Sequence, residues 1–147
     1  MSNLRNEFIP YEQALELKQL GFDEPCFGYY EDNNLTTTFP STSENGWKWV
    51  GNAIIPVKNT KAPLYQQAFR WIRENYNLKS SVMDFIDDVT GIEWDYSISI
   101  IGTDIDEKGE YVPLIDYSID DPNRKYGTYE KAELDCLIKL IEISKNK

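Results

Sequence analysis

The sequence predicts an α+β fold: an antiparallel sheet of about four to five strands with helices packed mainly on one face, in the order helix-strands-helix-hairpin-helix. Three observations lead there. Residues 63–77, PLYQQAFRWIRENYN, repeat apolar side chains at helical spacing. Residues 129–144 do so again near the end of the chain. Outside these stretches, short runs rich in aromatic and β-branched residues are separated by turn formers. A chain of 147 residues suits one domain, 1–147, with a real core.

The central helix is the clearest element. In projection Tyr65, Ala68, Phe69, Ile72 and Tyr76 form one stripe, with Leu64 and Trp71 at its edge. Gln66, Gln67, Arg70, Arg73 and Glu74 lie opposite. Pro63 suits a first helical position, and residues 75–77 suit the end. The stripe is expected to face the sheet, with Phe69 and Ile72 nearly fully buried, Trp71 partly exposed and Arg73 in water.

Before it, Pro10 to Leu20 reads as a first helix stopped by Gly21. Phe27 to Glu31 and Leu35 to Phe39 read as strands around Asp32-Asn33-Asn34. Residues 40–46 form a polar loop, and Trp47 to Val57 reads as one further strand with a bulge or bend at Gly51. After it, residues 80–91, SSVMDFIDDVTG, read as a short helix stopped by Gly91. Trp94 to Ile101 alternates as a strand, residues 102–109 turn, and Glu110 to Ser118 returns as an edge strand or one broken at Pro113. Thr128 caps a last helix, Tyr129 to Ser144, whose stripe is Tyr129, Ala132, Cys136, Leu140 and Ile143. All three helices open on similar tetrads, Tyr11 to Ala14, Tyr65 to Ala68 and Tyr129 to Ala132. A duplicated unit and a shared way of starting helices both account for this.

Composition removes chemistry. The chain has no histidine, so Ser-His-Asp and Cys-His catalysis, a histidine base and His-ligated zinc are excluded. Cys26 and Cys136 lie far apart and read as buried free thiols of a cytoplasmic protein. No apolar run approaches the ~20 residues that span a bilayer. Residues 104–109 brush against a calcium loop, but Lys108 and Ile115 stand where oxygen ligands belong. No cofactor and no metal are expected.

Charge suggests where binding could occur. The net charge is −10, which argues against direct nucleic-acid binding. Within 84–121 Lys108 is the lone base among acids, while 58–79 holds Lys58, Lys61, Arg70, Arg73 and Lys79 against Glu74. Two candidate sites follow. Asp84, Asp87 and Asp88, sharing a helical face, with Asp104, Asp106 and Glu107, would form an acidic surface for a basic partner. Trp47, Trp49, Arg70, Trp71 and Arg73 would form an aromatic, cationic pocket for a small anionic or nucleotide-like ligand. The plain alternatives are a solvated acidic face and aromatics that fill the core.

Three blocks, FIPYEQALELKQLGFDEPCFGYY, APLYQQAFRWIRENY and TYEKAELDCLIKLIEI, together resemble a family of small uncharacterised proteins from phages and prophage-like regions of Bacteroidetes. The resemblance implies a cytosolic accessory protein of an infected or lysogenic bacterium, and transfers no catalytic residue. The expected function is therefore a non-enzymatic phage-type accessory protein whose acidic surface engages a basic host or phage protein; the alternative is the small-ligand binder.

Overall fold

The computed structural model describes residues 4–37, 47–50, 53–56, 59–100, 106–110 and 125–147. For 47–50, 53–56, 59 and 100 it describes the backbone alone. The chain divides into two compact units, Met1–Tyr65 and Gln66–Lys147, the boundary falling after the first residue of the central helix.

In the first unit α1 (Tyr11–Gln19) follows a 3-10 turn, Leu4–Glu7. Pro10 is its N-cap, and Gly21 beyond its end has φ +101°, the left-handed region that glycine enters without a Cβ clash. β1 (Gly28–Glu31) pairs antiparallel with β2 (Asn34–Thr36). Its other edge pairs with β5 (Asn59–Ala62), a strand the sequence does not announce. The core lies between α1 and this sheet: Ile9, Ala14, Leu17, Phe22, Tyr30 and Ala62 are buried. The Tyr30 hydroxyl donates to the Ile9 carbonyl at 2.7 Å, and its ring meets Tyr11 edge to face at 5.4 Å. Lys61 is spent structurally, donating to the Asp23 carboxylate at 2.8 Å and to its carbonyl at 2.9 Å.

Residues 47–57 are not one strand. β3 (Trp47–Val50) and β4 (Ala53–Pro56) pair antiparallel, with Val50 opposite Ala53. Gly51, where a bulge or bend is expected, lies outside the described residues.

The second unit holds the greater part of α2 (Tyr65–Tyr76). Asn77, at φ 56°, ends the helix and donates its N–H to the Arg73 carbonyl. The chain then enters β6 (Leu78–Asp87) and β7 (Gly91–Ile100), an antiparallel hairpin in register over its full length. The helix expected over 80–91 is therefore a strand and a turn. The Asp87 carboxylate accepts from the N–H groups of Val89 and Thr90, and Gly91 has φ +89°. The same Gly that suggested a helix stop closes a hairpin loop. Ten cross-strand pairs outweigh the helical spacing of a few apolar residues.

α3 (Tyr129–Lys145) packs against β6 and β7. The Thr128 hydroxyl caps it, accepting from the Lys131 N–H at 3.3 Å. Ala132, Cys136, Leu137, Leu140, Ile141 and Ile143 are buried against Leu78, Tyr96 and Ile98 of the sheet. Tyr126 forms a bridge with Trp94, their N–H and C=O groups exchanging bonds of 2.9 Å, and its hydroxyl donates to the Asp135 carboxylate. The Lys147 ammonium donates at 2.6 Å to the Tyr76 carbonyl, placing a cation at the negative end of α2.

The α+β class holds, and the order is again helix, strands, helix, hairpin, helix, but the hairpin is β6–β7 and not the expected one of Trp94 to Ile101 with Glu110 to Ser118. The sheet count does not hold. Among the described residues there are three antiparallel sheets, of three, two and two strands, in place of one larger sheet. Of the expected strand Leu35 to Phe39, β2 takes Leu35 and Thr36, Thr37 is not in a strand, and 38–39 lie outside the described residues; of Glu110 to Ser118, Glu110 is not in a strand and 111–118 lie outside them. Each helix starts at the tyrosine of its tetrad, and the alanines Ala14, Ala68 and Ala132 are all buried. Cys136 is buried as expected, but Cys26 is only half-buried, its thiol donating to the Glu24 carbonyl.

Candidate functional site

The face that α2 buries is rotated from the expected stripe. Tyr65, Ala68, Trp71 and Ile72 are buried, with Trp71 only 7% exposed. Phe69 and Tyr76 are half-buried. Trp71 thus belongs to the packed side, where its ring meets Tyr76 edge to face at 5.7 Å. A Trp at the edge of a stripe removes more apolar surface from water than a Phe at its centre, so the helix turns to cover it.

The residues expected to form the aromatic, cationic pocket are drawn from both units. Trp47 and Trp49 stand on β3 of the first unit, and their side chains lie outside the described residues. Arg70, Trp71 and Arg73 stand on the second-unit part of α2. Trp71 is packed away; Arg70 and Arg73 are exposed. Arg73 lines a cleft of about 170 Å³ together with Phe69, Ser80, Ser81, Val82 and Tyr129.

The acidic face is also rearranged. On a strand, side chains alternate, so Asp84 and Asp87 point to opposite faces of β6, and Asp88 lies in the turn. Asp87 is occupied by its turn N–H groups and by Lys125. Asp104 lies outside the described residues. Asp106 organises a separate turn, its carboxylate accepting from the N–H groups of Lys108 and Glu110 at 2.8 and 2.9 Å, with Glu107 exposed beside it. That turn follows the opposite end of β7, which is ~30 Å long at ~3.3 Å per residue. Asp84, Asp87 and Asp88 therefore share no helical face. Among the described residues no cluster of three or more carboxylates and thiols could hold a metal ion.

The hairpin end holds what sequence reasoning missed. Leu78, Ser80, Val82, Asp84 and Ile86 of β6 share a face with Ile98, Tyr96, Trp94 and Ile92 of β7. Near Leu78 and Ile98 this face is buried. Toward the turn it is open: Ile86 and Ile92, directly opposite each other, are 82% and 62% exposed, and Val89 at the turn is 92% exposed. Met83 on the reverse face is exposed too. Asp84 and Asp88, both exposed, flank this apolar end. The sequence gives little signal for it, since Val82-Met83-Asp84-Phe85-Ile86-Asp87 does not alternate apolar with polar residues.

No helix among the described residues is long and apolar enough to cross a membrane. Comparison with protein-family models, with curated proteins and with solved structures finds no match to this chain.

Proposed function

We propose that this chain is a non-enzymatic binding protein that docks a basic, partly apolar protein surface through the distal end of its β6–β7 hairpin. The observation that carries this reading is the exposed cross-strand pair Ile86 and Ile92, with Val89 above it, bordered by Asp84 and Asp88. Exposed apolar side chains at the end of an ordered hairpin are costly to leave in water and are a common mark of a contact surface. Their acidic border selects the partner. A second copy would set Asp84 and Asp88 against like charges, in a chain of net charge −10. A partner with apolar side chains ringed by Lys or Arg would satisfy both features. The absence of histidine supports a binding role over acid–base catalysis. The resemblance to phage-associated proteins would make the partner a host or phage protein of the bacterial cytosol.

The test uses a fluorescent amphipathic helical peptide of leucine and lysine, with its leucine and glutamate counterpart as control. Anisotropy should detect binding of the cationic peptide, weakening as salt rises. The double variant I86S/I92S should abolish it, and D84N/D88N should reduce it and flatten the salt dependence. Equal binding of both peptides, or binding that I86S/I92S leaves intact, would overturn the proposal. Concentration-dependent dimerisation lost in I86S/I92S would overturn it in favour of a second copy.

A further inference from the structure

We infer that the cleft between α2, β6 and the start of α3 is a second, separate binding site, for the oxyanion head group of a small molecule. Phe69, Arg73, Ser80, Ser81, Val82 and Tyr129 line it, and all belong to the second unit. Among the described residues Arg73 is the only charged one in the lining. Its side chain makes no ion pair or hydrogen bond within the described protein, which is unusual in a chain with this excess of carboxylates. A guanidinium offers five N–H donors in a planar fork that fits phosphate and carboxylate oxygens. The Ser80 hydroxyl, on the same face of β6 as Val82, supplies a further donor of adjustable direction.

The walls are held in place. Ser81 is hydrogen-bonded to Ser97 across the hairpin at 2.9 Å. The Tyr129 ring meets Trp94 edge to face at 5.3 Å. Tyr129 is also the first residue of the 17-residue α3, so the positive end of that helix adds to the potential at the cleft wall. A site whose walls are fixed before binding loses less entropy when a ligand enters.

Size limits the ligand. About 170 Å³ is well below the ~300–1,000 Å³ of sites that enclose a whole drug-sized molecule. It suits one phosphate or carboxylate group, with Phe69 and Tyr129 flanking whatever is attached to it. Arg70, also exposed on α2, is absent from the lining and serves as the control cation.

The experiment is a ¹⁵N–¹H NMR titration of the full chain with inorganic phosphate and with acetate, each against chloride at matched ionic strength. Saturable shifts at the amides of Ser80, Ser81, Val82 and Tyr129 with either oxyanion are expected, and the stronger probe identifies its class. R73Q should weaken binding about tenfold or more, R73K should weaken it less, and R70Q should leave it unchanged. Shifts that chloride reproduces, or that R73Q leaves intact, would overturn the inference. Should R73Q not fold, absence of saturation in the wild-type chain would still overturn it.

Discussion

Lys125 Nζ lies 2.5 Å from Asp87 Oδ2, so the segment that leads into α3 is tied to the turn end of β6. Asp87 does two things at once, since Oδ1 of the same carboxylate accepts from the N–H groups of Val89 and Thr90. The Lys125 ammonium first, and these N–H groups after it, hold Asp87 well below its ordinary value of 3.8. The contribution of a carboxylate depressed on folding is present above its unfolded value and is lost as pH falls through the folded one. Thermal melts between pH 7 and pH 2 should therefore show a loss below about pH 4 that is shallower in D87N. At neutral pH D87A should melt below D87N, because an Asn oxygen still serves the turn and Ala does not. Identical pH profiles for wild type and D87N would mean that the ion pair does not form in solution.

The rotated face of α2 sets a ranking of core substitutions. Ile72 is fully buried, so Ile72→Ala should cost about 2–5 kcal/mol in urea unfolding. Phe69, only half-buried, should cost less on truncation than the ~3–5 kcal/mol of an enclosed Phe. Arg73→Ala should stay within about 0.5 kcal/mol of wild type. Phe69→Ala proving more damaging than Ile72→Ala would restore the face expected from the sequence.

Gly28 is required by proximity. A Cβ at this position would sit 2.9 Å from Phe8 Cε1 and 3.3 Å from Leu35 Cδ1. Phe8 is buried and has little room to retreat. Gly28→Ala should destabilise the first unit by about 1–3 kcal/mol. The double variant with Phe8→Leu should recover part of that loss in the same denaturation assay, since the clashing ring atom is gone.

Thr128 caps α3, the helix on which the second unit's core depends. Thr128→Ala should cost about 0.5–2 kcal/mol, and Thr128→Asp, which keeps an acceptor and adds charge at the positive helix end, should restore most of it. Hydrogen exchange at the Lys131 amide should quicken in the Ala variant alone.

Local chemistry alone determined a good part of this protein. The three helices follow from apolar spacing, with Pro10 and Thr128 at two of the N-caps; Pro63, expected as a first helical residue, instead lies two residues before α2. Asp32-Asn33 marks the β1–β2 turn, and the alternation in residues 94–100 marks β7. The absence of histidine and the excess of acids are likewise properties of composition. Each of these signals is complete within a few residues, which is why it can be read without the fold.

Only tertiary structure decided the rest. β5 has little strand propensity in Asn59-Thr60-Lys61-Ala62 and exists because β1 has an edge to pair with it. Residues 80–87 can be patterned as helix or strand, and pairing with β7 settles the choice. That one choice disperses Asp84, Asp87 and Asp88, sets Ile86 opposite Ile92, and brings Ser80 and Ser81 to Arg73. The candidate sites depend on it because a cleft and a cross-strand pair are made of residues distant in sequence. Their free energy lies in contacts between elements, which no local propensity records.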